Sequence, residues 1–599
     1  MSRLSSSANQ VNLDVSLASL IRKLWAHISP HRHRQLVWVV LLMLLSSFAE
    51  AISLASTLPL LEAITNPSIL WNQPFVRYWA FRFGIENSQE IVFPTVSIFI
   101  IIVVLASLIR ICTLWLSLRI SASIGSDLSY SAFLRTLYRP YLQQVSSNGS
   151  KIIATVNADI GRVTRFVLNP LLQLLSTVMI AISLIVTMIA INWMIAVGFG
   201  LSIALFYYLT ARFTKSTLRH LGRMHVLLNQ QSIQTLQEGL GAVRDVLLDG
   251  KQEYFAEIYT NKDVPHRQNS AQEVFLKGFP RMAVEPLGLS LVAVSGYLLV
   301  SQGQAASAVP LLGALALGAQ RLLPFSQKIF ESWASINATK ASLVNVLSLL
   351  DQPLSSKAPI RPIKQFKFRQ KLSLKDVHFS YASDQKEVLK GVCLEIDKGS
   401  RVGLIGGTGS GKSTLLDLLM GLLKPTAGQF FVDDYTLHAD DLKYDNSSFS
   451  SIISHVPQAI YLTDSSIAEN IAFGVPKDQI DKVRLHEAAK QAQISSFIEA
   501  SPYGYDTSVG ERGVQLSGGQ RQRIGIARAL YKQPQILFLD EATSALDTET
   551  EKAVMSVINS LGRDLTIIII AHRLSTLACC DRVVELKSGK LIEKQLPLS

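Results

Sequence analysis

The stretch Arg401–Ser413, RVGLIGGTGSGKS, decides the fold of the C-terminal part of this chain. An apolar run typical of a strand, RVGLI, enters a glycine-rich turn, and the series TLLDLLMGLL that follows has the pattern of a helix. The turn between them fits G-x-x-x-x-G-K-S and consists of Gly406, Gly407, Thr408, Gly409, Ser410, Gly411, Lys412 and Ser413. A turn of this kind curls its backbone amides around phosphate groups, so the sequence predicts a nucleotide phosphate site.

Two carboxylates further along the chain complete the predicted site. The apolar segment ILFLDE, residues 536–541, has the pattern of a buried strand that ends in Asp540 and Glu541. If it ends beside the turn, Asp540 joins the Ser413 hydroxyl in the shell of a Mg²⁺ ion, and Glu541 is left to polarise a water. Lys412 reaches the β- and γ-phosphates. The sequence therefore predicts hydrolysis of a nucleotide phosphate bond, with Mg²⁺ as a cofactor.

Residues before about 335 have a different character, because long apolar runs dominate them. Only 17% of the 599 residues are charged, against roughly 25% in ordinary soluble domains. A membrane-spanning helix needs about 20 apolar residues. Six spans are predicted, at about 35–60, 91–120, two within 171–209 on either side of a turn at Asn192, 283–300 and 307–325.

The distribution of basic residues predicts the orientation. The chain has 57 Lys and Arg residues against 45 Asp and Glu, a formal net charge of +12. The Lys and Arg residues of the membrane part concentrate in the N-terminal segment and in the long loops after spans 2 and 4. The segment between spans 1 and 2 carries only Arg77 and Arg82. The positive-inside rule then places both termini in the cytoplasm. The net charge belongs to this topology, which argues against nucleic-acid binding.

The segment Leu516-Ser517-Gly518-Gly519-Gln520 is identified as the signature of ATP-binding cassette (ABC) proteins, and further motifs resemble those of the family in order. The resemblance implies that Tyr381 stacks on adenine, that Gln458 senses Mg²⁺ and the membrane domain, that Asp547 ends the D-loop, and that His572 contacts the γ-phosphate. The implied site has the catalytic residues Glu541, His572 and Gln458; the ATP-binding residues Tyr381, Gly406 to Ser413, Thr414, Asp540 and Asp547; and the Mg²⁺ ligands Ser413, Gln458 and Asp540.

The same resemblance implies an exporter built as a half-transporter. Residues 509–513, VGERG, are similar to the x-loop of exporters. In this family the signature of one cassette completes the ATP site of its partner, so Leu516 to Gln520 act in trans and a dimer is implied. The intact motifs favour a homodimer, and a heterodimer stays open. Coupling is expected through residues 144–154 and 237–247.

The predicted fold class is a multidomain membrane protein, an all-α six-helix transmembrane domain plus an α/β cassette with a largely parallel sheet. We predict a cytoplasmic segment with an interfacial helix (1–34), the transmembrane domain (35–335), a linker rich in Pro, Ser and Lys (336–365) and the cassette (366–599). The resemblance places the protein in a bacterial inner or plasma membrane as a multi-pass protein.

Charged side chains within the spans point to the substrate, because they are costly there and usually functional. The predicted substrate cavity contains Arg110, Arg281, Glu285 and Arg321. Guanidinium groups bind phosphate bidentately, which suits a phosphate-bearing head group. The alternative is that the arginines pair with Glu50 or Glu285, or extend to the membrane surface.

The aromatic segment 67–87 between spans 1 and 2 either anchors the protein or binds a lipid chain. With the intramembrane arginines, it is similar to the lipid-linked oligosaccharide flippases of bacterial glycosylation. The resemblance implies a membrane lipid or lipid-linked glycan as the substrate, moved by alternating access. The alternatives are a peptide or hydrophobic-drug exporter and, from another class, an ATP-gated channel or regulator.

Overall fold

The computed structural model describes residues 16–82, 84–146, 149–191, 193–301, 305–352, 366–382, 386–437, 446–541, 548–571 and 574–594. The chain forms two compact units. Unit 1 contains residues 1–139 and 147–354, and unit 2 contains residues 140–146 and 355–599.

Unit 1 is helical in its described part. Two π-helical segments, Ala154–Asp159 and Thr164–Leu168, join three of its helices into one continuous rod. The helices are α1 (Leu17–Ala26), α2 (Pro30–Ala55), α3 (Thr57–Thr65), α4 (Pro67–Trp71), α5 (Pro74–Arg82), α6 (Val92–Leu137), α8 (Gly149–Ile153), α9 (Ile160–Val163), α10 (Asn169–Ile191), α11 (Trp193–Gly241), α12 (Val243–Leu248), α13 (Gln252–Ser301), α14 (Ala305–Ala338) and α15 (Lys340–Leu350).

Four helical stretches of the described chain are long and apolar enough to cross a membrane. They are residues 30–65, 88–137, 154–191 and 196–241, and they include the first four predicted spans. The last two predicted spans lie on α13 and α14. The side chains of residues 298–315 are outside the described part, so the number six stays a prediction. The helices α10 and α11 end and begin on either side of Asn192, which is itself not described.

Defined helices lie within the predicted N-terminal segment and within the predicted linker. The helix α1 begins after Ser16, whose hydroxyl accepts a hydrogen bond from the amide of Ser19, and it buries Leu20 and Leu24. The predicted linker includes the end of α14 and the whole of α15. Its residues 353–365 lie outside the described part.

Two helix crossings in unit 1 are so close that they require glycine. A Cβ atom on Gly222 of α11 would lie 1.8 Å from the carbonyl oxygen of Ala338, at the end of α14. A Cβ atom on Gly125 of α6 would lie 2.4 Å from the Thr164 hydroxyl oxygen. Small residues at crossings allow helix backbones to approach closely in membrane proteins.

Unit 2 contains the predicted α/β domain. Its strands are β1 (Lys371–Phe379), β2 (Leu389–Asp397), β3 (Arg401–Ile405), β4 (Ala427–Val432), β5 (Tyr435–Leu437), β6 (Ile453–Val456), β7 (Ile536–Asp540), β8 (Thr566–Ile570), β9 (Arg582–Lys587) and β10 (Lys590–Lys594). Its helices are α7 (Tyr141–Ser146), α16 (Lys412–Leu419), α17 (Asn446–Ile452), α18 (Ile467–Ile471), α19 (Lys482–Gln491), α20 (Ser495–Glu499), α21 (Gly518–Tyr531) and α22 (Thr548–Ser560).

The strands form two sheets. The six-stranded sheet has the order β10-β9-β3-β8-β7-β6 and is parallel except for the β10–β9 pair, which confirms the largely parallel sheet. A four-stranded antiparallel sheet of order β2-β1-β4-β5 accompanies it and was not predicted. Strands β3, β8 and β7 are neighbours, so the loops after β3 and β7 lie at the same edge.

A short piece of the first long loop belongs to unit 2. Tyr141 and Leu142 of α7 are partly buried against the apolar cluster of the sheets, which includes Leu415 and Phe430. The sequence expectation for a coupling segment began a few residues later, at 144.

We predict that Gly222→Ala destabilises unit 1. The added methyl group meets a backbone carbonyl that cannot move away as a side chain tip could, and overpacking of this kind costs on the order of 1–3 kcal/mol. The expected result is a lower unfolding temperature, followed by tryptophan fluorescence. Gly198→Ala is the matched control, because Gly198 lies on the same helix and a Cβ atom there would have no neighbouring atom within 4 Å. Equal unfolding temperatures of the Gly222→Ala and Gly198→Ala variants would contradict the close crossing at Gly222.

Candidate functional site

The glycine-rich turn lies between β3 and α16, as the sequence predicted. Gly406 has φ 154°, and a Cβ atom there would lie 2.4 Å from the carbonyl oxygen of Leu586 on β9. Gly411 has φ 105° immediately before α16. Both positions exclude other residues, because the first is crowded by the sheet and the second is left-handed. The turn is therefore fixed by its two ends.

The lysine of the turn is buried and folds back over it. Its ammonium group donates hydrogen bonds to the carbonyl oxygens of Gly406, at 2.8 Å, and Gly407, at 3.1 Å. The Ser413 side chain is exposed on the first turn of α16. Backbone amides at a helix N-terminus together with an ammonium group form an anion site, which suits a polyphosphate.

Two carboxylates, the last residue of β7 and the residue that follows it, lie at the same edge of the sheet. Glu541 has φ 47°, and its amide donates to the carbonyl oxygen of Ile570 at the end of β8. The amide nitrogen of Gln458 donates to a carboxylate oxygen of Glu541 at 2.8 Å. Gln458 and Glu541 are 83 residues apart in the chain, and the structure brings them together. Their roles as catalytic and Mg²⁺-sensing residues stay predictions.

Electrostatics bring in one residue that sequence reasoning missed. Burial, with a smaller contribution from the charge of Asp540, raises the pKa of Asp417 on α16 to about 6. Burial also raises the pKa of Asp540, Glu541 adds to this, and Lys412 opposes it. The sequence feature that could have identified Asp417 is that it is the single acidic residue within the apolar run TLLDLLMGLL. Two carboxyl groups that disfavour each other's ionisation are a suitable environment for a cation.

The predicted adenine-stacking residue lies close to the turn. The Tyr381 hydroxyl shares a hydrogen bond of 2.9 Å with the Thr414 hydroxyl, and the Tyr381 ring packs edge-to-face on Phe379. The side chain is 41% exposed. The contact with Thr414 places Tyr381 beside the first turn of α16, and stacking on adenine remains a prediction.

The signature starts a helix, as predicted. Ser517 caps α21: its hydroxyl accepts from the amide of Gln520, and the Gln520 side chain accepts from the amide of Ser517. Leu516 and Gly519 are buried beside them. This reciprocal capping satisfies two amides at the helix start. The amide of Gly518 is also at this N-terminus, where an anion is favoured.

The helix α21 is fastened to the segment that follows Gln458. The Arg528 guanidinium donates to the carbonyl oxygens of Tyr461 and Asn470, at 2.9 and 2.8 Å. A Cβ atom on Gly525 would lie 2.0 Å from a methyl carbon of Ile460. The segment after Gln458 and the signature helix are therefore in direct contact through hydrogen bonds and close packing.

Two predicted site residues, Asp547 and His572, lie outside the described residues. The other predicted residues of the ATP site all lie in unit 2, in the turn, in the loop after β7, at Gln458 and Tyr381, and at the start of α21.

The predicted substrate cavity is only partly assembled. Arg110 and Arg321 donate to the two carboxylate oxygens of Glu50, at 2.9 and 3.3 Å, and Arg321 also donates to Ser53. These four residues line a cavity of about 620 Å³ between α2, α6, α10 and α14. Arg281 and Glu285 are exposed on α13 and are not among its lining residues. Pairing with Glu50, the alternative from the sequence, is observed for both arginines that line the cavity.

Two family models match the chain. Residues 39–315 match the model of the ABC transporter transmembrane region, and residues 389–544 match the model described as ABC transporter. The chain is 31% identical over 447 residues to an ATP-dependent lipid A-core flippase of Chromohalobacter salexigens, covering 74% of this chain and 75% of the relative. It is 30% identical, with the same coverage, to YgaD of Bacillus subtilis, whose name assigns it to multidrug export.

A solved structure is similar over nearly the whole chain. A bacterial Atm1-family ABC exporter with ATP bound superposes with a TM-score of 0.75 and 25% identity, over 94% of both chains. A helical membrane unit and an ATP-binding α/β unit in one chain define an ATP-hydrolysing membrane transporter. The chain belongs to the ABC exporters and has the half-transporter arrangement of that family.

We predict that Asp417→Asn stabilises unit 2 above pH 6. A carboxyl whose pKa is about 6 in the folded chain and near 3.9 unfolded keeps its proton longer when folded, so stability falls as the pH rises between about 4 and 6. The variant removes this loss, which is at most about 2–3 kcal/mol. All seven tryptophans precede residue 334, so tryptophan fluorescence does not report on unit 2. The stability of unit 2 is therefore measured by hydrogen exchange of the α16 amides in the absence of nucleotide.

The control for this measurement is Asp478→Asn, which removes one exposed carboxylate elsewhere in unit 2. At pH 4 the Asp417 variant and the wild type are expected to exchange alike after correction for intrinsic rates. Identical protection at pH 7.5 would contradict the electrostatic strain at Asp417.

Proposed function

We propose that the protein is an ATP-driven flippase for an amphiphilic lipid with a phosphate-bearing head group, the best candidate being a lipid-linked oligosaccharide. It works as a homodimer by alternating access, in a bacterial inner membrane, with both termini in the cytoplasm. ATP binding closes the cassettes and hydrolysis reopens them.

The observation that carries the substrate proposal is the charge balance of the cavity at Glu50. One carboxylate, 7% exposed, is shared by two guanidinium groups, which leaves an excess of one positive charge at that point. The Arg110 side chain is half exposed. A guanidinium group has five N–H donors, and each of the two contacts with Glu50 uses one of them. An anionic head group is therefore favoured in this cavity over a cation.

A second cavity supports the lipid part of the proposal. The short helices α4 and α5 and the start of α6 enclose about 610 Å³, lined mainly by apolar side chains such as Phe75, Trp79, Ile98 and Phe99. Burial of an alkyl chain gains about 0.8 kcal/mol per CH₂ group. A cationic cavity and an apolar groove in the same unit suit the two parts of an amphiphile. The lipid A-core flippase among the relatives is named for a substrate of this class.

The chemistry proposed for the ATP site rests on the sequence motifs, supported by the contacts of Lys412, Gln458 and Glu541. The amides of the turn and Lys412 bind the phosphates; Ser413, Gln458 and Asp540 bind the Mg²⁺ ion, which supplies charge neutralisation at the β- and γ-phosphates. Glu541, held by Gln458, orients the attacking water and accepts its proton. The partner's signature, at the start of its α21, binds the γ-phosphate from the other side, and His572 and Asp547 complete the site.

Export of a hydrophobic compound is the second candidate. A further cavity of about 390 Å³ in unit 1 is lined by Tyr207, Tyr208, Phe330 and Trp333 among mainly apolar neighbours. Aromatic walls of this kind bind uncharged aromatic molecules. Since YgaD is named for multidrug export, a drug-binding role of this cavity is the natural alternative.

We predict that Glu541→Gln abolishes both hydrolysis and flipping. The amide keeps the size of the side chain but cannot accept a proton, and loss of a general base costs about 10²–10⁴-fold. The measurement is ATP-dependent flipping of a fluorescent lipid-linked oligosaccharide in proteoliposomes, with ATP hydrolysis recorded in parallel. Glu499→Gln, at an exposed position of unit 2, is the control. Wild-type turnover of the Glu541 variant would refute the assigned base, and hydrolysis without flipping by the wild type would discard this substrate.

We predict that the triple variant Glu50→Gln, Arg110→Gln, Arg321→Gln loses flipping at least tenfold per ATP hydrolysed. Changing all three residues avoids leaving a buried carboxylate without its partners, which would cost stability by itself. Arg281→Gln is measured beside it, because that arginine lies outside this cavity. Equal loss in Arg281→Gln would extend the head-group site to α13, and undiminished flipping by the triple variant would assign the three charges to structure alone.

A further inference from the structure

Four Lys and Arg side chains lie at the corner between α1 and α2, where the chain enters its first long apolar helix, and two of them are neutralised by acids. The Lys23 ammonium group of α1 contacts the Asp351 carboxylate at 3.0 Å. The Arg32 guanidinium group of α2 contacts the Asp127 carboxylate at 2.9 Å. These two ion pairs hold the corner against α15 and α6.

The other two basic side chains, Arg22 on α1 and Arg34 on α2, are exposed and have no acidic partner among the residues that the structure describes. Residues 15–49 contain no Asp or Glu. The two acids that other helices contribute to the ion pairs of the corner are already used. Two guanidinium groups therefore remain uncompensated there.

The free arginine of α2 lies at the end of an exposed apolar stripe. Val37, Trp38 and Leu41 are all exposed, and they follow Arg34 at spacings of three, four and seven residues. Side chains at these spacings share one face of a helix. The stripe belongs to residues 30–65, a stretch long and apolar enough to cross a membrane. Arg34 therefore lies where the apolar face ends, which is the level of the lipid head groups.

The free arginine of α1 lies on the outer side of that helix. Leu20 and Leu24 are buried in unit 1, and Arg22 is two residues from each of them, about 200° away around the helix. Trp25 is also exposed, and its ring stacks on that of His33 with centroids 4.5 Å apart. This stack fastens α1 to the start of α2, one residue before the free arginine of that helix.

The groups at the corner have the chemistry of a site for an anionic phospholipid. A guanidinium group binds a phosphate bidentately, and indole rings favour the head-group level of a bilayer. Zwitterionic lipids offer the same phosphate together with an ammonium group, which two uncompensated cations repel. The apolar stripe beside the charges favours a lipid over a soluble anion, because it provides a surface for the acyl chains.

We infer that Arg22 and Arg34, with the neighbouring rings of Trp25 and Trp38, form a binding patch for an anionic phospholipid of the surrounding membrane. None of these four residues lines the cavity at Glu50 that is proposed for the substrate. The lipid is therefore a ligand of the outer surface of unit 1 and not the molecule that is transported.

The helix that carries half of this patch also holds the point where the chain leaves unit 1. Lys23 and His27 contact the two carboxylate oxygens of Asp351, at 3.0 and 2.9 Å. Arg135 of α6 donates to the carbonyl oxygen of Gln352, the next residue. A lipid that holds α1 at the membrane surface is therefore expected to stabilise these contacts, and with them unit 1.

The test measures binding of dioleoyl phosphatidylglycerol and dioleoyl phosphatidylcholine to the full-length protein in detergent by native mass spectrometry. The wild type is expected to bind phosphatidylglycerol more tightly. In the double variant Arg22→Gln, Arg34→Gln its affinity is expected to fall about 30-fold, because each basic residue near the surface of an anionic membrane contributes about fivefold. Binding of phosphatidylcholine should not change.

The control is the double variant Arg223→Gln, Lys251→Gln, which removes the same charge from exposed positions of unit 1 outside the corner. It should bind phosphatidylglycerol as the wild type does. Equal affinity of the wild type and the Arg22, Arg34 variant would overturn the patch, and so would an equal loss in the control, since net charge alone would then explain the binding.

A second measurement reports on the stability of unit 1. All seven tryptophans belong to unit 1, so their fluorescence follows its unfolding. Phosphatidylglycerol added to the detergent solution is expected to raise the unfolding temperature of the wild type and the control, and not that of the Arg22, Arg34 variant. An equal rise in all three proteins would contradict the role of the two arginines. Neither measurement involves transport, so the outcome is independent of the proposed substrate.

Discussion

The close approach of backbones at Gly406 is the constraint on which the ATP site of unit 2 depends. Strand β3 pairs with β9 and β8, so the chain leaving β3 passes the carbonyl oxygen of Leu586 with no room for a Cβ atom. That passage turns the following amides inward and starts α16 at Lys412. Because β7 is the next neighbour of β8, the same edge receives Asp540 and Glu541. The steric restriction at Gly406 and the strand order together bring anion donors and carboxylates to one edge of the sheet.

Sequence patterns predicted these elements because each has a local cause. A left-handed turn needs glycine, a helix start needs a cap such as Ser517, and a buried strand is continuous in apolar residues. The order of the motifs predicted Gln458 and Glu541 as site residues, but the hydrogen bond between them was not predicted. The antiparallel sheet and the environment of Asp417 were not predicted either, because they arise from contacts between segments distant in the chain. The Asp417 pKa, for example, depends on burial and on Asp540, more than a hundred residues away.

Contacts between distant segments also decide the arrangement of the charged residues in the membrane unit. The sequence left two interpretations of Arg110 and Arg321, binding a head group or pairing with an acid, and the geometry shows that pairing with Glu50 is real. The two interpretations are compatible, because one carboxylate cannot neutralise two guanidinium groups. A buried Glu50 is costly without its partners, so it fixes both arginines beside the cavity while the excess charge remains available. Arg281 and Glu285 have the expected sequence positions but lie elsewhere on α13.

Coupling of hydrolysis to transport was expected through the first long loop, and residues 140–146 of that loop belong to unit 2. Tyr141 packs on the apolar cluster beneath the sheets, and burial raises its pKa, with contributions from Asp417, Tyr381 and Asp540. These three residues lie in or beside the predicted ATP site. Asp417 is on α16, Tyr381 contacts Thr414, and Asp540 ends β7. A cation that neutralises Asp540 also removes its repulsion of Asp417, and so alters the field at Tyr141. Tyr141 thus lies within electrostatic range of the carboxylates of the ATP site, and it belongs to the part of the first long loop that packs in unit 2.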